Sequence, residues 1–156
     1  MKTVNGTYQY RESGLDNVYL VNGFDYVETA GGRNIIIQDI DGLHEAIGRF
    51  LINERKVLSG NEIRFLRHEL DMSQDTLAGI LDVTEQTVRR WEQNKLSIPR
   101  AADAILRSIY AEKIGGNKTI SDILKRISDI EDEMDRALVF EEANDKWAPV
   151  DEAEAA

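Results

Sequence analysis

The spacing of apolar residues along this chain changes character near residue 40. Before it, they come in short runs rich in Val, Ile and Tyr: Thr7 to Tyr10, Asn17 to Val21, Phe24 to Thr29 and Asn34 to Gln38. Such runs, bounded by Gly and Asn, predict strands. Asn22-Gly23 separates the second from the third, the signature of a two-residue type I′ turn. Ala30-Gly31-Gly32-Arg33 separates the third from the fourth as a looser hairpin. A small antiparallel meander of three or four strands is expected, and it needs cover on its apolar face. Asp41 to Asn53 supplies that cover: Leu43, Ala46, Ile47, Phe50 and Leu51 recur at helical spacing, with Asp41 as the cap. The charged step Glu54-Arg55-Lys56 closes a β-rich domain over 1–56.

From Leu58 to Arg100 the period is helical and the caps are explicit. Ser59 with Glu62 three places on forms a capping box. Ser73 opens a second helix with Leu77, Ile80 and Leu81 on its apolar face. Thr84 opens a third, in which Val88 and Trp91 face inward while Gln86, Thr87, Arg89 and Arg90 face outward. Only Leu81-Asp82-Val83-Thr84 lies between the last two, room for a sharp turn and nothing more. The pattern is a helix-turn-helix. Pro99 suits the start of a further helix, on which Ala102, Ile105, Leu106, Ile109 and Tyr110 complete the core of a domain over 57–114.

Beyond Gly115-Gly116-Asn117, the residues Ile120, Ile123, Ile127, Ile130, Met134 and Ala137 alternate steps of three and four, a short heptad seam. A helix over 115–140 is expected, packed on its own domain or serving as a dimer contact through Ile120, Ile123, Ile127, Ile130 and Met134. The polar, acidic residues 141–156 read as a disordered tail. Trp147 within it is the odd residue, either docked on the protein's own body or an anchor for a partner. The expected fold class is α+β: a small N-terminal antiparallel sheet with a covering helix, an all-α helix-turn-helix domain, and a C-terminal helix.

The run SQDTLAGILDVTEQTVRRWEQNK resembles the helix-turn-helix of the Cro/C1 (Xre-type) repressors. The matching positions are Ser73-Gln74, Leu77-Ala78, Val83, Thr84 and the closing Val88-Arg89-Arg90-Trp91-Glu92. Asp82 departs from the family's usual Gly at a turn position that favours positive φ, which Asp tolerates better than most residues. The resemblance implies a recognition helix over 84–93 that enters the major groove. Glu85, Gln86 and Arg90 match its base-reading positions, with Thr87 beside them for a thymine methyl or a phosphate. Their chemistry suits bases: Gln pairs with adenine, Arg with guanine, and Glu accepts from cytosine. Ser73 and Gln74 match the family's phosphate clamp at a helix N-terminus, and Arg89 and Lys95 are candidate phosphate contacts. A homodimer would present two such helices one DNA turn apart, on an inverted-repeat operator in double-stranded DNA.

The order of domains, the hairpin and the run GGRNIII also resemble the MqsA-like antitoxin regulators, whose N-terminal domain often binds zinc. That layout implies a partner toxin protein, neutralised through the N-terminal domain or the acidic tail, as the alternative to a repressor of its own operon. The family's paired cysteines are absent, so no zinc site carries over.

Composition narrows the rest. Among 156 residues there is no cysteine, which excludes disulfides and thiolate metal sites. The formal charge of −10 looks wrong for a DNA binder until it is located. Residues 129–156 carry eleven acidic side chains against Arg136 and Lys146, a net of −9, while residues 1–128 carry 18 acidic and 17 basic, a net of −1. Phosphate contacts must then come from local placement of Arg64, Arg67, Arg89, Arg90, Lys95 and Arg100. His44 reads as a partly buried structural residue and His68 as surface. Neither has a ligand partner at metal spacing, no acid/base or nucleophile constellation is visible, and the glycine pairs are connectors rather than phosphate loops. No enzyme activity, metal or cofactor is expected. With no apolar run long enough for a bilayer and no apolar core in the N-terminal stretch, no membrane partner is expected and a cytoplasmic location is.

Overall fold

The structure, a computed structural model, describes residues 6–115 and 137–151. It is mixed α+β, with six strands and five α-helices among the described residues. The chain forms two compact units, one built from residues 1–46 and 134–156, the other from residues 47–133.

In the first unit, β1 (Tyr8–Gln9), β2 (Val18–Leu20), β5 (Leu138–Ala143) and β6 (Lys146–Val150) form one sheet in that order. A separate two-stranded sheet pairs β3 (Phe24–Thr29) with β4 (Gly32–Ile37). The expected single meander is therefore incorrect at its centre. β2 does not turn back on β3 through Asn22-Gly23; it pairs in parallel with β5, Val18 opposite Leu138 and Leu20 opposite Phe140. The physical reason is burial. All three residues of β2 and the first three of β5 are buried, so each strand presents apolar side chains on both faces, the pattern of an interior parallel pair. Asn22 extends this ladder with its side chain: Nδ2 donates to the Glu142 carbonyl (3.2 Å) and the Glu142 amide donates to Oδ1 (2.7 Å). Gly23, at φ +78°, leaves room for the Trp147 ring, which a Cβ there would overlap.

The reading of 141–156 as a disordered tail is corrected over the described residues 141–151. β5 and β6 form a hairpin closed by Asn144-Asp145, both with positive φ (54° and 61°), as a type I′ turn demands. The expected helix over 115–140 is likewise replaced by strand at Leu138 to Phe140. Residues 116–136, with the seam Ile120, Ile123, Ile127, Ile130 and Met134, lie outside the described residues. Trp147 docks within its own unit, 8% exposed, its indole N–H donating to the carbonyls of Gln38 (3.0 Å) and Asp39 (3.2 Å).

Helix α1 (Ile40–Glu54) begins in the first unit and continues in the second. Its cap is Asp39 rather than Asp41: Asp39 Oδ1 accepts from the Gly42 amide at 3.2 Å. In the first unit His44, half-buried as expected, shares a 2.7 Å hydrogen bond with the Tyr10 hydroxyl. From Ile47 on, the helix belongs with the helices that follow, so the boundary lies ten residues before the expected 56/57 step. Arg107, fully buried on α5 (Arg100–Lys113), explains why. Its guanidinium donates to the carbonyls of Ile52 (3.1 Å), Arg55 (2.6 Å) and Lys56 (3.2 Å), orphan acceptors at and just past the end of α1. Asp103 one turn away pairs with the same guanidinium and accepts the Leu58 amide.

Candidate nucleic-acid interface

Three short helices of the second unit carry the motif. Helix α2 (Gly60–Glu69) begins with the expected capping box. Ser59 accepts the Glu62 amide, and the Glu62 carboxylate accepts the Ser59 amide at 2.8 Å. Ser73 caps α3 (Gln74–Leu81), accepting from the Thr76 amide (3.0 Å). Its hydroxyl also donates to Thr76 Oγ1 (3.0 Å), so the side chain proposed for a phosphate is already occupied. Leu77 and Ala78 are buried, but Ile80 is 45% exposed and does not join the apolar face expected for it. Asp82 ends α3 in the left-handed conformation (φ 54°, ψ 45°), the geometry anticipated from its place in the turn. The Val83 amide then returns to the Ala78 carbonyl (3.0 Å).

Thr84 caps α4 (Glu85–Glu92), accepting from the Thr87 amide at 3.2 Å. Val88, Trp91 and Glu92 are buried, which turns Glu85, Gln86, Arg89 and Arg90 outward, with Thr87 half-buried. Glu85 and Arg89 form an exposed i,i+4 ion pair at 3.1 Å. Such a pair contributes no more than about 0.5 kcal/mol and is readily exchanged for other partners. Gln86, Arg90 and Lys95 are exposed, and their side chains have no hydrogen-bond or ion-pair partner among the described residues.

One carboxylate ties the three helices together. Glu92, 2% exposed, receives Arg67 through Nε (2.7 Å) and Nη2 (2.9 Å), Gln74 through Nε2 (3.2 Å) and Arg64 through Nε (3.3 Å). Burial alone would raise its pKa. The hydrogen bonds from Arg67 and Gln74, the Arg67 charge and the Arg64 bond outweigh that and hold the carboxyl below the ordinary range. Arg67 also caps the chain after α2 by donating to the Met72 carbonyl at 2.9 Å.

This hub revises two expected phosphate contacts. Arg67 is 8% exposed and committed to Glu92 and Met72, so it is a framework residue. Gln74 is half-buried with one amide N–H on Glu92, leaving its second for any other acceptor. Sequence reasoning matched Glu92 to the motif without reading this role; the signal was present in Arg64 and Arg67, three apart on α2. Asn94, at φ +59°, accepts the Gly60 amide at 2.9 Å and closes the end of α4 against the start of α2.

No family model, curated protein or solved structure matches this chain. Among the described residues no helix is long and apolar enough to cross a membrane.

Proposed function

We propose that this protein is a sequence-specific DNA-binding transcriptional regulator, a dimeric repressor of its own operon that reads the major groove with α4. The observation that carries the reading is the division of α4. Val88, Trp91 and Glu92 anchor one side, and the other holds Glu85, Gln86, Thr87, Arg89 and Arg90 out to solvent from a helix of eight residues. Gln86 and Arg90 are the specificity residues, because bidentate amide–adenine and guanidinium–guanine pairs need side chains not spent on intramolecular bonds. Arg89 and Lys95 contact phosphates, Arg89 after releasing Glu85. Ser73 and Gln74 contribute chiefly the amides at the start of α3.

The charge of the second unit supports a limited electrostatic contribution. Its described residues, 47–115, carry 11 basic and 10 acidic side chains, a net of +1. Few phosphate contacts per protomer imply a shallow salt dependence, and useful affinity then requires two protomers on a two-part site. The test is fluorescence anisotropy on the DNA upstream of the protein's own gene, with random-sequence competitor, at two salt concentrations. Competitor-resistant binding that the Gln86→Ala/Arg90→Ala double variant loses is the expected result. Binding no tighter than to random DNA would overturn the autorepressor assignment.

A further inference from the structure

The β3–β4 hairpin is poorly covered. No residue of either strand is buried, and Tyr26 and Ile36 are 49% and 56% exposed. In its antiparallel ladder Thr29 faces Gly32, Val27 faces Asn34 and Asp25 faces Ile36. These are the bonded pairs, because the loop between Thr29 and Gly32 has two residues and the ladder continues with the Gln38 amide on the Gly23 carbonyl (2.8 Å). The amides and carbonyls of Arg33, Ile35 and Ile37 therefore point away from β3, along the outer edge of β4. None of them has a hydrogen-bond partner among the described residues.

The two edges of the hairpin differ. Along β3, Asp25 and Glu28 interrupt the apolar residues, the usual protection of an exposed edge. Along β4 the sole charge is Arg33, whose guanidinium lies 4.1 Å from the centre of the Tyr26 ring, and Ile35-Ile36-Ile37 follow without interruption. Tyr8 supports the hairpin at 5.5 Å from Phe24 and 6.5 Å from Tyr26, ring centre to ring centre. An edge so long, apolar and unpaired is a template for another strand.

We propose that the outer edge of β4 takes up an extended, basic segment of a partner protein as a third strand. Charge selects the occupant. The described residues of the first unit carry 11 acidic and 3 basic side chains, a net of −8. A second copy would bring the same charge to the edge, whereas lysines or arginines on the Asn34/Ile36 face point over Ile36 toward Asp25 on β3, with apolar residues on the opposite face, where Arg33 lies over Tyr26. The surface is independent of α4, so loss of DNA binding leaves this proposal intact.

The test uses the full chain and a labelled synthetic peptide of alternating valine and lysine, about eight residues long, the length of an ordinary strand. A peptide with glutamate for lysine is the control. Anisotropy is expected to show binding of the lysine peptide alone, weakened roughly tenfold or more by Ile35→Pro, which removes an outward amide and leaves the hairpin's own bonds. Ile36→Lys, at an exposed position, gives a second variant with the same expected loss should the proline disturb folding. Amide exchange on the unmodified protein reads the edge directly: Arg33, Ile35 and Ile37 should exchange fast alone and slow down with peptide. Equal binding by all three proteins, or no binding at all, overturns the proposal. Protection of those amides without peptide also overturns it, and its rise with protein concentration would identify a second copy as the occupant.

Discussion

Replacing Glu92 by alanine should strongly destabilise the helical unit. The carboxylate is buried and receives four hydrogen bonds from three side chains. Removing it leaves Arg67, itself 8% exposed, charged and without its main partner. Breaking a buried pair in this way costs about 3–5 kcal/mol, because the surviving charge keeps its desolvation penalty and loses its attraction. Arg64 adds little to that figure, since its side chain is 46% exposed and water replaces the lost bond. Against a total stability of about 5–15 kcal/mol for a domain, the loss is large enough to measure by urea unfolding followed by far-UV circular dichroism.

The same group makes the effect depend on pH. The Glu92 pKa is lowered in the folded protein. Between the folded and unfolded pKa values the unfolded chain therefore binds more protons, and stability rises with pH. The contribution is complete above the unfolded carboxyl pKa and disappears as pH falls through the folded one. Glu92→Gln removes this component, so the stability gap between wild type and variant should narrow as acid is added through that window. A loss below about 1 kcal/mol for Glu92→Ala at neutral pH, or a gap that does not change with acid, would refute the buried hub.

Arg107→Ala should cost about 3–5 kcal/mol in the same unfolding assay, because it strands the buried Asp103 and frees three carbonyls at the end of α1; Arg107→Lys should recover little, since one ammonium cannot reach the same set. Trp147→Ala should cost about 3–5 kcal/mol and loosen the first unit, seen as broadened amide signals for β2 and β5 in two-dimensional NMR; an unchanged spectrum would mean the C-terminal hairpin is dispensable. Asp82→Gly should be neutral or stabilise by up to about 1 kcal/mol, and Asp82→Ala should destabilise by a similar amount, because alanine lacks a polar side chain to support φ 54°. Arg90→Ala should weaken specific operator binding by about 1–3 kcal/mol with the thermal melt unchanged; undiminished affinity would remove Arg90 from the reading set.

What the sequence made legible was local. A capping residue acts on amides two or three places along, so Ser59, Ser73 and Thr84 each announced a helix start that the structure contains. The outward and inward sides of α4 follow from a 3.6-residue period over eight residues. The β3–β4 hairpin follows from its glycines. The two-residue turn at Asn144-Asp145 carried a comparable signal, but the acidic residues around it suggested solvation and concealed the strands on either side.

The pairing of β2 with β5 had no local signal to find. Leu20 meets Phe140 across a gap of more than a hundred residues that contains the whole second unit. Nothing in the side chains near Asn22-Gly23 distinguishes a turn into a hairpin from a strand end that lends its amide to a distant neighbour. The clue was subtler: Val18, Tyr19 and Leu20 are apolar without alternation, which a strand with one solvated face would not be. Arg107 and Glu92 belong to the same class. Glu92 sits in a polar stretch and Arg107 among the apolar residues of α5, and each becomes a centre of the fold only when a distant segment brings its partners. The residues that remain unspent by such contacts, Gln86 and Arg90 on α4 and the outward amides of β4, are therefore the informative ones.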